Sequence, residues 1–198
     1  MKRIWFNLIC LLCSISIYGQ DILDFRMCDA YNGKVKSIVV TSPEMMQSVC
    51  EFSADGKIKH CKNNEIEVDY EWNGDEELKL IVSNSQETQT LYMYINAYRK
   101  DYYEYDLGEG NCKIWFRANG SVEKKIMSQN GITASSTYYY HNDSDLYPYK
   151  IENRMGTQSQ VIYVNVEECD SMGNAIVVSQ TCNGITVKQE RTITYYNE

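Results

Sequence analysis

Nucleophilic catalysis needs a hydroxyl or thiol beside a base, and this chain of 198 residues carries only two histidines, His60 and His141. His60 precedes Cys61, a neighbourhood that could make a thiol–imidazole pair, but a cysteine held in a disulfide is no nucleophile. No Gly-x-Ser-x-Gly elbow occurs. Beyond the N-terminal leader there is no Cys-x-x-Cys spacing, and His-x-x-x-His is absent, so no zinc site is expected. A glycosidase needs two carboxyl groups facing each other across a cleft. The acidic pairs Glu76-Glu77 and Glu167-Glu168 are sequence neighbours, and strand alternation would send their members to opposite faces. They read as solvated charges. Asn142-Asp143-Ser144-Asp145 gathers oxygen ligands in one turn, yet lacks the glycine and distal glutamate of a calcium loop and reads as a polar turn. No catalytic residue, metal or cofactor is expected.

Aromatic side chains give the one suggestive signal. There are seventeen tyrosines against four phenylalanines. The run Tyr138-Tyr139-Tyr140 must place rings on both faces of its strand, and Trp115 faces away from Ile114 and Phe116. Flat rings with a polar handle suit sugars or protein surfaces. Tyr102, Trp115 and Tyr139 are the candidate ligand platforms. Cross-strand packing of the same rings is the competing reading, because aromatics are good strand formers.

The elements that would position these rings are hairpins, written repeatedly. Alternating apolar and polar residues run into a short glycine-bearing turn and out again, as in Val49 to Phe52, Ala54-Asp55-Gly56 and Lys57 to Lys59. The pattern recurs around Asn73-Gly74, Ala118-Asn119-Gly120, Met172-Gly173-Asn174 and Asn183-Gly184. Alternation has the period of a strand, and such turns join antiparallel neighbours. Only two prolines interrupt the chain, which fits long paired ladders. The expected fold is all-β: an antiparallel meander of about ten to fourteen strands, curled or two-layered, with little or no helix. Residues 21 to 32 are the least regular stretch, able to form a short helix or a capping strand.

Lys2 and Arg3 followed by an apolar stretch to Ile17 and the small Gly19 describe a signal peptide over residues 1–20. Residues 21–198 then form a single β-hairpin domain. Cys10 and Cys13 follow large residues, which argues against a lipid-attachment box. No later segment is apolar enough for a spanning helix. Losing Lys2 and Arg3 moves the formal charge from −8 to −10. An acidic chain without a basic run argues against nucleic acid and anionic membrane surfaces as partners.

Six cysteines remain: Cys28, Cys50, Cys61, Cys112, Cys169 and Cys182. In an exported chain an even number reads as disulfides. Hairpin geometry singles out Cys50 and Cys61. A two-residue turn at Asp55-Gly56 sets them directly opposite in a hydrogen-bonded pair, about 5.5 Å between Cα atoms. A three-residue loop with a glycine bulge would set Cys61 opposite Val49, with Cys50 its diagonal neighbour. The remaining four cysteines carry no pairing signal.

The stretch Tyr163 to Asn174, closing on Arg191 to Tyr196, resembles the YD-repeat (RHS-like) proteins, and Tyr105-Asp106 with Gly110-Asn111 is a second partial match. Cys169 stands before Asp170 where the pattern has tyrosine. The resemblance implies a β-hairpin array at the cell surface or in the envelope, in a family that includes toxin-enclosing shells and carbohydrate-associated modules. It transfers no catalytic residue. The function expected is a non-enzymatic secreted, periplasmic or cell-surface module that binds polysaccharide or an envelope protein. A structural component associating through strand edges, and then a glycoside-processing enzyme, stand behind it.

Overall fold

The computed structural model describes residues 31–197 except 44, 75–76, 100–101 and 107–109. The signal peptide expected over residues 1–20 and Cys28 lie outside the described residues. Fourteen strands follow one another without a helix among the described residues. They are β1 (Val35–Ser42), β2 (Met45–Phe52), β3 (Ile58–Lys62), β4 (Ile66–Asn73), β5 (Glu77–Asn84), β6 (Thr88–Arg99) and β7 (Tyr102–Asp106). Then come β8 (Gly110–Phe116), β9 (Val122–Gln129), β10 (Ile132–Tyr140), β11 (Lys150–Met155), β12 (Gln158–Cys169), β13 (Ala175–Cys182) and β14 (Ile185–Tyr195). Each pairs antiparallel with the next, and β1 also pairs with β14, so the meander closes on itself as a barrel.

Three of its hairpins share one local design. In Ser53 to Lys57, Arg117 to Ser121 and Asp170 to Asn174, the first residue's amide donates to the fifth residue's carbonyl. The fourth residue is a glycine whose amide donates back to the first carbonyl. Its φ is +86° at Gly56, +85° at Gly120 and +81° at Gly173, the left-handed region that a Cβ disfavours. In each hairpin an extra residue follows two places beyond the loop: Lys59, Glu123 and Ile176 bulge out of register. The repeat seen in the sequence is thus a loop together with a bulge.

That bulge settles the register left open at Cys50 and Cys61. The loop is the three-residue form, which alone would set Cys61 opposite Val49. The bulge at Lys59 then shifts the ladder by one, so Phe52 faces Ile58 while Cys50 faces Cys61. The two cysteines are joined in a disulfide with Cα atoms 4.2 Å apart. This is the close spacing of a non-hydrogen-bonded pair, not the 5.5 Å first expected. Cys112 is buried, and Cys169 and Cys182 are unbridged.

Side chains alternate between the two sides of the wall, and the apolar set points inward. Ile38, Phe52, Ile58, Val68, Leu78, Leu80 and Ile114 are almost fully buried around the disulfide. Outward stand Lys36, Glu51, Lys59, Lys62, Asp69, Glu71 and Glu190, all exposed. The ring is fastened where its ends meet. Asn174 is fully buried: its Oδ1 accepts from the Asn32 amide at 2.7 Å, and its Nδ2 donates to the Asn32 carbonyl at 2.9 Å and the Tyr195 hydroxyl at 2.8 Å. The Tyr195 hydroxyl also donates to Asp170. Burial works to raise the Asp170 pKa, but that hydroxyl and the amides of Asn174, Met172 and Gly173 outweigh it and hold the carboxyl below its ordinary range. Tyr195, pushed by burial and by this bond, rises to about 12.

Candidate functional site

The hairpin registers draw one continuous row across five strands on the outer face. Tyr102 stands opposite Trp115, Trp115 opposite Lys124, Lys124 opposite Tyr138, and Tyr138 opposite Glu152. Residues directly opposite share a face. This face is the outer one, because Ile114, next to Trp115, is fully buried in the core. Tyr102 and Trp115 stack with ring centroids 5.5 Å apart at a tilt of 33°. The Lys124 ammonium lies 4.7 Å from the Trp115 ring centre and 5.6 Å from that of Tyr138, and the Arg154 guanidinium lies 4.9 Å from Tyr138 on the next strand. Rings and cations therefore alternate, each cation held by the negative face of a ring.

Below this row a second group continues the pattern. The Lys150 ammonium is 3.7 Å from the Tyr140 ring centre. The Tyr140 hydroxyl donates to Glu152 Oε2 at 3.0 Å, and Arg154 Nε donates to Glu152 Oε1 at 2.7 Å. Bonds from Arg154 and then Tyr140 draw the Glu152 carboxyl below its ordinary pKa, while the same carboxylate raises that of Tyr140. Glu152 thus fixes the rotamers of a tyrosine and an arginine at once. Lys124, Lys150 and Arg154 stand against this single carboxylate, giving the patch an excess of positive charge.

Of the three platforms expected from sequence, Tyr102 and Trp115 are brought into contact. Tyr139 is not with them. It faces Ile151, which faces the buried Ile162, so its ring is on the inner side of the barrel. Its neighbours Tyr138 and Tyr140 occupy the outer face. Sequence reasoning missed Tyr138, Lys124 and Arg154. Counting outward from Gly120 with the loop-plus-bulge rule would have placed Lys124 opposite Trp115.

The other chemical candidates separate. His60 Nδ1 is 2.8 Å from Asp69 on the outer face, while Cys61 points inward into its disulfide. The Asn142–Asp145 turn is occupied by a cation from the protein itself. Arg117 donates to the carbonyls of Asp145, Asn142 and Asp143 at 2.9 to 3.1 Å. The expected alternation of Glu167 and Glu168 fails, because a bulge makes Glu167 the extra residue and leaves both side chains exposed. Glu167 accepts from Ser179 and pairs with Lys188 at 3.0 Å. Glu76 lies outside the described residues. Among the described residues no group of three or more His, Cys, Asp or Glu could hold a metal ion.

No family model matches the chain, and no curated protein matches it. Among solved structures it is similar to a porin-like protein from Bacteroides vulgatus ATCC 8482, at 14% identity and a TM-score of 0.43, covering 83% of this chain and 99% of that one. No helix among the described residues is long and apolar enough to cross a membrane.

Proposed function

We propose that this chain is a non-enzymatic binding module, secreted or held in the cell envelope, that takes an extended polysaccharide against the outer face of β7 to β11. The observation that carries this reading is the row Tyr102–Trp115–Lys124–Tyr138 with its Arg154 flank. Its rings are pre-set by stacking and by cations, so little side-chain entropy remains to be lost on binding. Ring edges and hydroxyls alternate with ammonium and guanidinium groups. Such a strip offers apolar contact to sugar faces and donors to hydroxyl or carboxylate oxygens.

The charged outer wall supports an aqueous setting. A barrel that spans a bilayer presents an apolar outward band, whereas Lys59, Lys62, Asp69, Glu71, Lys188 and Glu190 stand outward and exposed here. Closure between β1 and β14 removes the strand edge through which a purely structural subunit would associate. The test is binding to arrayed neutral and acidic glycans by the parent, Trp115→Ala and Tyr138→Ala, each checked for an unchanged β-sheet dichroism spectrum. Both variants should lose at least about tenfold in affinity. Parental binding by both folded variants refutes the outer-face reading.

A further inference from the structure

The inner side of the barrel is chemically split. From β1 to β8 it is apolar around the disulfide. From β9 to β14 polar residues stand among apolar ones such as Ile162 and Val178. The row that begins at the buried Ile114 continues inward as Lys125, Thr137, Asn153 and Gln160, each opposite the next. The same interior receives Gln189 and Arg191, which face the buried Val178 and Val40. A packed core gains nothing from such residues, since every buried polar atom needs a partner. Lys125 is only 8% exposed. Both amide atoms of Asn153, Nδ2 and Oδ1, are buried with no hydrogen-bond partner in the structure.

The row from Lys125 to Gln160 does not surround packed atoms. Its residues line a cavity of about 450 Å³, open at one end, between β9 to β12 and the β13–β14 turn, with Lys125, Ser135, Thr137, Asn153, Gln158 and Gln160 on its walls and Asn183 at its rim. The volume falls within the range of small-molecule sites. No aspartate or glutamate lines it. We infer that this pocket at the open end of the barrel interior is a second binding site, for a sugar acid the size of a monosaccharide or disaccharide. The Asn153 amide presents a donor and an acceptor side by side, the complement of two adjacent hydroxyls on a sugar ring. Ser135, Thr137, Gln158 and Gln160 add adaptable donors and acceptors around it. The Lys125 amine and the Arg154 guanidinium put positive charge in a lining that carries no acid, which suits a carboxylate. The adjacent Lys124 is committed to the outer row, so one strand serves two faces with consecutive lysines.

Arg154, which flanks the outer row, also lines this cavity, so the test rests on the inward-facing Asn153, Lys125 and Thr137. D-glucuronate and D-glucose are titrated calorimetrically into the full mature chain and into Asn153→Ala, Lys125→Met and Thr137→Val. Folding of each is verified by dichroism and by thermal melting. The expected result is saturable binding of glucuronate, tighter than glucose by tenfold or more, weakened at least tenfold by Asn153→Ala and reduced to the glucose level by Lys125→Met. Thr137→Val, which keeps side-chain volume, guards against a variant that fails to fold and should weaken binding several-fold. Binding of neither sugar by the parent overturns the site, as does parental affinity in the folded Asn153 and Thr137 variants. Equal affinity for the two sugars overturns the assignment to an acid.

Discussion

Replacing Asn174 by alanine should open the fastening that holds the ends of the sheet together. The side chain makes three hydrogen bonds at 2.7 to 2.9 Å, two to the main chain of Asn32 and one to the Tyr195 hydroxyl. A net contribution of about 1 kcal/mol per bond gives about 3 kcal/mol in total. Asn32 is exposed, so water can satisfy its freed main-chain groups and no larger penalty accrues. For a domain of this size, 1 kcal/mol shifts the melting temperature by about 2–4 °C, so the midpoint should fall by about 6–12 °C. Chemical denaturation with an unchanged m-value measures the loss directly. Asn32→Ala is the matched control, because it removes only an exposed side-chain bond to the Met172 carbonyl and should cost under about 1 kcal/mol. If Asn174→Ala costs no more than this control, the clasp does not hold the seam and the reasoning is wrong.

Breaking the Cys50–Cys61 bridge by paired alanine substitution frees a loop closed over a sequence separation of 11, which should lower stability by about 3 kcal/mol in urea titration. Gly120→Ala places a Cβ on a backbone at φ +85° and should cost about 1 kcal/mol, seen as a lower urea midpoint. His141 titrates below its ordinary value, chiefly because burial penalises the imidazolium and secondarily because Arg117 is nearby, against the opposing bond between Nε2 and the Val122 carbonyl. The unfolded chain therefore binds the extra proton first. Stability is full at neutral pH and declines as pH drops below about 6.5 toward the lower folded pKa. His141→Gln should flatten that part of the wild-type profile between about pH 7 and about pH 5, and an unchanged slope would count against it.

The hairpin array and its disulfide were legible because both are local. Asp55-Gly56 fixes a turn, and either plausible register brings Cys50 near Cys61. The bulges at Lys59, Glu123 and Ile176 were not legible: each shifts the alternation by one, setting buried residues three apart as at Ile58 and Cys61, and short runs such as Ile176-Val177-Val178 are apolar at every position and hide the shift. Tyr139 shows the consequence. In Tyr138-Tyr139-Tyr140 all three residues are alike, so pattern cannot say which ring faces out. Only the register inherited from the Gly120 hairpin decides. Ring closure was equally hidden, because the pairing of Val35 with Tyr195 spans nearly the whole domain. The polar inner half was obscured for another reason: Lys125, Asn153 and Gln160 read as ordinary solvent-facing residues in strands where both faces carry polar groups.

Thirteen of the pairings join neighbours in sequence, and the fourteenth alone joins the far ends. Loop-closure entropy for that last contact is the largest in the molecule. Formation of the hairpins should thus be quick and sealing of the wall the slow event, with a transient exposed edge in between. Since the main chain at Lys34 and Tyr196 is already hydrogen-bonded, a short linker could splice those points and new ends could be cut at the exposed Gly156 turn. In such a circular permutant the slow contact becomes the local one, and the vulnerable junction moves to the polar side of the chamber.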